Sequence, residues 1–448
     1  MSIFKDIVKF FTVFFLLTNA SRIFAQNQNW YEIQGAPYLT NISDRLEYVN
    51  FINQNTGWAL HSVSGKIYRT TNSGLNWGEI FTSTVIHAYR SIAFFDSLTG
   101  FLGTTLDTPR ALYRTTNGGF NWILITEFNG LKPMGMCGLF KVNDSVMYGS
   151  GWYENNARVI KTTNIGATWQ TFDLSALAKG LTDCYFFNQD SGFAVGWKGT
   201  TYGGDARGVV LFTANGGANW TTMYTTTNQG QNCWKISFPS RNIGYVSLEK
   251  FGNSAYFLKT TNSGATWEEK LFLNRNYVMQ GIGFVNENTG WIGGSRNSTL
   301  YSYKTTNGGD SWDSVGVLKN VNKFIFLNDT MAFAVGRTIY RFGTNTVNIQ
   351  QVNSIVPSKF KLYQNYPNPF NPKTNFDFLI KSTGNKSSEV SLNIYDITGK
   401  LISTLFKGNL KPGKYNITFD GSNLNSGIYF YSLQAGDFKE TLKMVLLK

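Results

Sequence analysis

The chain has 448 residues but only 2 His and 3 Cys, and these are scattered. A zinc, haem or iron–sulfur centre would need nearly all of them in one place, so no metal site and no cofactor is expected. Neither a glycine-rich Walker loop nor a nucleophile elbow occurs. The apolar run Phe10 to Leu17 is shorter than the roughly 20 residues that span a bilayer, and no later stretch approaches that length. Charged residues make up 15% against 42% hydrophobic, which excludes a disordered chain and a bundle of charged helices. Proline is sparse at 9, whereas glycine reaches 45 and aromatics 16%, the composition of short strands joined by tight turns. The expected class is all-β.

Lys5 and Lys9 precede the run Phe10–Leu17, and Ala25 ends a plausible cleavage site, with Ile23 larger than the usual small residue at minus three. Residues 1–25 thus read as a secretory signal, which implies an oxidising compartment. Cys137, Cys184 and Cys233 form an odd set, so one internal disulfide at most can form. Each falls just before a repeated Phe, where inner strands are expected, and the three read as buried unpaired thiols.

The pattern Thr-x-Asn-x-Gly-x-x-Trp occurs six times, starting at Thr70, Thr115, Thr162, Thr213, Thr260 and Thr305. Its fixed positions are Asn72, Gly74 and Trp77; Asn117, Gly119 and Trp122; Asn164, Gly166 and Trp169; Asn215, Gly217 and Trp220; Asn262, Gly264 and Trp267; Asn307, Gly309 and Trp312. Successive Trp residues lie 45, 47, 51, 47 and 45 apart. A second pattern runs in phase: Phe51, Phe94, Phe140, Phe186, Phe238, Phe284 and Phe326, usually followed six residues on by Gly and a large apolar residue. The missing seventh Trp is Trp30, 47 residues before Trp77. The body therefore begins with the last strand of a repeat and ends with a repeat lacking it. Joined, the two halves close a ring of seven, a seven-bladed β-propeller over residues 26–345. Closure removes the open sheet edges of a linear stack.

Within the pattern, Thr and Asn suit a tight turn, Gly supplies positive φ, and Trp packs between sheets. The unit resembles the Asp-box of sialidases, sortilin-type receptors, xyloglucanases and photosystem II assembly-factor propellers, with Asn in place of Asp in all six copies. The resemblance implies a structural hairpin on the blade periphery.

After a polar linker (346–361), residues 362–448 open with Tyr366-Pro367-Asn368-Pro369-Phe370 and continue with strands expected at 376–380, 390–397, 415–419 and 428–433. The spacing predicts a small β-sandwich. The Pro-Asn-Pro-Phe opening, Ile394 to Gly399-Lys400, Leu424 to Gly427 with Tyr429, and the Lys-rich end resemble the type A C-terminal sorting domain of type IX secretion substrates. That resemblance implies the type IX machinery as a partner and passage across the outer membrane of a Bacteroidetes-like bacterium, with release or surface attachment.

The net charge is +13, but the expected propeller keeps only +5, which does not point to nucleic acid. The Phe-to-Gly and Asn-Gly turns hold their length, whereas the connections from the apolar residue to the Thr box run 12, 14, 15, 20, 15 and 14 residues. Constant turns should face one end of the ring and variable loops the other, where binding is expected. Arg110, Trp152, Tyr153, Arg158, Trp197, Tyr202, Arg207 and Arg296 are the candidate binding residues there, able to grip carboxylates, sugars or a peptide. A glycosidase needs paired carboxylates, and nothing pairs Asp107, Glu154 and Asp205. The Arg-Ile-Pro of sialidases is missing from the propeller. The expected function is a secreted or surface-held, non-catalytic binding protein for an extracellular glycan or protein. The alternative is a secreted glycoside hydrolase using the same face.

Overall fold

The computed structural model describes residues 29–448 apart from 34–35, 42–43, 84–87, 106–110, 153, 155–156, 251, 253, 295–300, 344–349, 354–356, 383–387 and 422–423. The expected leader lies outside the described residues. The chain divides into two compact units, Trp30–Gly343 and a C-terminal one from Thr344 to Lys448. Among the described residues every named element is a strand, and no helix is long and apolar enough to cross a membrane.

The two repeated motifs build the first unit turn by turn. Each Phe-to-Gly turn joins a first strand to a second, and each Thr-Asn-Gly box joins a third to a fourth. Blade 1 is Leu46–Phe51, Gly57–His61, Lys66–Thr70 and Gly78–Thr82, paired in that order. Blades 2 (89–124), 3 (138–173), 4 (180–225), 5 (231–273) and 6 (279–319) repeat the plan. Blade 7 takes Lys323–Asn328, Met331–Val335 and Ile339–Gly343, and its outer strand is Asn29–Glu32 from the start of the body. Trp30 is buried there, its ring 5.6 Å from Trp291, 5.6 Å from Phe324 and 5.4 Å from Phe342. First strands of neighbouring blades touch all the way round, and that of blade 7 touches that of blade 1, so the ring is closed.

The Phe motif is the cement between blades. The aromatic after the Gly of one blade, or after Ala332 in blade 7, stacks on the Phe of the next: Trp58 on Phe94 at 3.6 Å, Tyr245 on Phe284 at 3.6 Å, and Phe333 on Phe51 at 4.1 Å across the closure. The Phe ring folds back over its own turn, so a Cβ at Gly192 would lie 2.3 Å from Phe186, which explains the fixed Gly. Blade 3, which has Val146 and Met147 in place of the Gly and the aromatic, uses Tyr148 instead, stacked on Phe186 at 3.5 Å.

Each box is a hydrogen-bonded turn. Thr162 Oγ1 accepts from Gly166 N at 2.9 Å and donates to Asn164 Oδ1 at 3.0 Å, and that oxygen accepts from Thr168 N at 2.9 Å. The other five boxes repeat these bonds. Trp220, Trp267 and Trp312 donate Nε1 to the box Gly carbonyl at 3.0–3.1 Å. The three cysteines are buried and form no disulfide, and burial pushes the Cys184 thiol up to about 12.

The second unit is a small sandwich. One sheet orders Gln350–Asn353, Gly413–Asp420, Lys373–Ile380 and Lys361–Leu362; the other orders Leu401–Leu410, Ser388–Tyr395, Gly427–Ala435 and Phe438–Leu446. Phe376, Phe378 and Ile417 face Val390, Leu392, Tyr431 and Leu433 in the core. Its first strand lies inside the stretch read from sequence as linker, and Leu401–Leu410 and Phe438–Leu446 are strands that the sequence reading left out. Phe370 is buried, donating its N–H to Val445 O at 2.9 Å and accepting from Leu447 N at 3.0 Å. Asn368 Oδ1 accepts from Val445 N at 2.9 Å, while Pro367 and Pro369 are exposed. Gly399, at φ 81°, and exposed Lys400 sit in a hairpin turn closed by Asp396; Tyr429, on the Gly427–Ala435 strand, donates to Asn425 O at 2.9 Å.

Candidate functional site

In every blade the first strand runs toward the Phe turn, so its opening residues lie at the variable-loop end of the ring axis. Arg45, Glu47, Arg90, Gln280 and Asn322 all lie at or beside such openings, and Glu249 is the penultimate residue of the second strand of blade 5. They form one network across the axis. Arg45 Nε and Arg90 Nη1 hold Glu47 at 3.0 and 2.9 Å. Asn322 Nδ2 donates to Glu47 Oε1 at 3.1 Å, and Trp234 Nε1 donates to Asn322 Oδ1 at 2.8 Å. Arg45 also donates to Gln280, whose amide nitrogen donates to Glu249; the Tyr202 hydroxyl donates to the other Glu249 oxygen. These bonds join non-adjacent blades, 1 to 6 and 5 to 7, so side chains plug the axis.

Deeper in, the Tyr48 ring lies under two ammonium groups, Lys323 at 4.8 Å and Lys235 at 5.3 Å, and Lys323 meets Asp183 at 3.6 Å. Burial holds Lys235 below the usual range and pushes Tyr48 up to about 12. Glu249 is raised, because burial outweighs its bonds to Tyr202 and Gln280 and the nearby Arg45 and Arg90. Glu47 is matched by Arg45 and Arg90, and Asp183 by Lys323; removing one partner of such a buried pair costs about 3–5 kcal/mol.

The longest variable loop roofs this plug. Asp205 ties it internally, accepting from Thr201 N at 2.7 Å and from Thr200 N at 3.0 Å, and those backbone bonds lower its pKa. Tyr202 leans edge-on against Trp197 at 5.4 Å. Beneath the loop Gln231 and Asn232 open the first strand of blade 5. Both are fully buried, and both polar atoms of each side-chain amide lack a partner among the described residues. Each such atom costs about 1–3 kcal/mol if nothing meets it.

The sequence-named residues divide as follows. Arg110, Tyr153 and Arg296 lie outside the described residues, as does Asp107. Trp197 is buried at 1% exposure, Trp152 is half-buried, and Tyr202 joins the axial network. Arg158 donates to the Lys132 carbonyl and Arg207 to Thr226 O at 3.0 Å, so both brace neighbouring connections. Glu154 is exposed, and Asp205 is occupied within its loop. The axial residues were missed because they sit outside both repeated motifs. A polar residue at the start of an inner strand is the one signal that could have found them. Among the described residues no cluster of His, Cys, Asp and Glu could hold a metal ion.

Residues 364–447 match a family described as a secretion system C-terminal sorting domain. No curated protein matches the chain. Two solved structures share the propeller: a YCF48 bound to D1 peptide, 18% identical, covering 71% of this chain and 95% of its own, TM-score 0.52, and YCF48 from Cyanidioschyzon merolae, 16% identical, covering 70% and 98%, TM-score 0.54. A GH74 enzyme from Niastella koreensis is 16% identical over 93% of this chain and 71% of its own, at TM-score 0.48. At these identities the likeness to YCF48 shows the fold. The tail is a sorting domain of the type IX kind, and it marks the chain for export to the surface or the medium.

Proposed function

We propose that the exported chain is a non-catalytic binding protein that uses the variable-loop face of its propeller. The observation that carries this reading is the state of the buried carboxylates on the axis. Glu47 and Asp183 are each 2% exposed at the side chain and are held by cations of the same network. Hydrolysis of a glycoside needs two carboxyl groups free to flank one bond. Groups locked in mutual ion pairs instead make a rigid floor, on which loops of variable length can present a surface. A propeller of this fold with a bound peptide, the YCF48 complex, supports the scaffold reading.

The test is a glycan and protein array probed with the full exported chain, followed by product analysis on each bound glycan. Binding without cleavage is expected. Cleavage abolished by a single change, such as Glu249→Gln, would establish the hydrolase reading instead.

A further inference from the structure

The two unpartnered amides beneath the longest loop point to an occupant. Gln231 and Asn232 are both fully buried, with amide atoms that have no partner among the described residues, but neighbours in a strand face opposite ways, and Asn232 is the one on the Glu249 side. Asn232 stands opposite Glu249 in the strand ladder, so the two side chains share a face of blade 5. Glu249 reaches Gln280 on one side and Tyr202 above. Around Glu249 thus gather an amide that can both donate and accept, a second amide and a tyrosine.

We propose that Asn232, Glu249 and Gln280, roofed by Tyr202, form a subsite for one neutral sugar residue of a glycan, with loop 199–206 as the lid that admits it. This rests on the binding reading above and gives that reading a ligand class. Adjacent sugar hydroxyls each donate and accept, which is what an Asn amide beside a carboxyl requires. The Tyr202 ring, braced edge-on by buried Trp197, offers an apolar surface to the C–H face of a pyranose. The nearby guanidinium groups of Arg45 and Arg90 are matched by Glu47, so the site does not call for a carboxylate or a phosphate. The lid has the backbone to move: Gly199 at φ 136° and Gly203 at φ 73° flank Tyr202. It is held down by the Tyr202–Glu249 bond and by Gln231 N donating to Ala206 O at 3.2 Å. A closed lid lowers apparent affinity by the fraction of time it is shut, so loosening it should tighten binding.

The experiment titrates the full exported chain with methyl glycosides of glucose, galactose, mannose, xylose and N-acetylglucosamine, and separately with the neutral peptide amide acetyl-Ala-Ser-Ala, by calorimetry and saturation-transfer NMR. At least one glycoside is expected to bind. Asn232→Ala should weaken it about tenfold, with a thermal midpoint unchanged or higher, because no protein bond is lost. Tyr202→Phe should strengthen it by about threefold. The proposal is overturned if no glycoside binds either the wild type or the Tyr202→Phe variant, or if the peptide binds and the glycosides do not. It is equally overturned if Asn232→Ala leaves affinity untouched, or lowers the midpoint by several degrees as loss of an internal water would. If Asn232→Ala does not fold, Tyr202→Phe decides: unchanged or weaker binding sinks the lid. Cleavage of a bound glycan that depends on Glu249 would defeat the binding-only reading while leaving the subsite in place; binding elsewhere on the face, indifferent to both variants, would defeat the subsite alone.

Discussion

Ile165 sits at φ 57°, a left-handed conformation that costs a β-branched residue about 1–2 kcal/mol. The same box position is Gly in three copies, Gly118, Gly216 and Gly308, and Ser73 or Ser263 in two others, all with positive φ. Ile165→Gly should therefore stabilise the propeller by about 1 kcal/mol, read as a higher urea midpoint. Thr162→Val does the reverse. It leaves the Gly166 N–H without its acceptor in a buried turn and should cost about 1–3 kcal/mol in the same measurement. Glu249 gives a prediction with a pH sign. Its folded pKa is raised, so the folded state binds more protons than the unfolded one above the ordinary carboxylate range. The penalty is missing where both states are protonated and grows as pH rises toward the folded pKa. Glu249→Gln, whose amide can still accept from Gln280 and donate to the Tyr202 oxygen, should raise the thermal midpoint at pH 7 and leave it unchanged near pH 4.

At the scale of the element, the closing strand matters most. Asn29–Glu32 completes blade 7, and Trp30 fills the space between Trp291, Phe324 and Phe342. Trp30→Ala should cost about 3–5 kcal/mol in equilibrium unfolding. A loss under 1 kcal/mol would mean that the ring does not depend on its seam. This seam was legible in the sequence because the period of the Trp residues extends back to Trp30, and because six boxes against seven Phe turns leave half a repeat at each end. The box turns were legible for a similar reason: Thr, Asn and Gly have one geometry that satisfies all three. The tail strands Leu401–Leu410 and Phe438–Leu446 were not, since Ser403, Thr404, Lys407 and Asn409 leave the first little apolar alternation, and Glu440 stands on the inward phase of the second. The strand Gln350–Asn353 escaped notice because its residues are polar; backbone pairing with Gly413–Asp420 makes it a strand.

For the whole molecule, the ring supplies a rigid frame and the tail supplies an address. The axial plug was illegible because its members come from blades 1, 2, 4, 5, 6 and 7 and meet only once the ring has closed. Arg45 and Gln280 are 235 residues apart in the chain. The longest variable loop was legible by its length alone, and from it Tyr202 reaches the network, while Arg207 and Trp197 serve to hold the loop's base. The measurement that bears most directly on the binding account is hydrogen exchange of the full exported chain, with and without a glycan or protein captured on the array. The account predicts slowed exchange in 197–208 and 226–232 at the variable end, with the six Thr boxes unchanged and the ligand recovered intact. Protection confined to the boxes, or a ligand recovered cleaved, would contradict it.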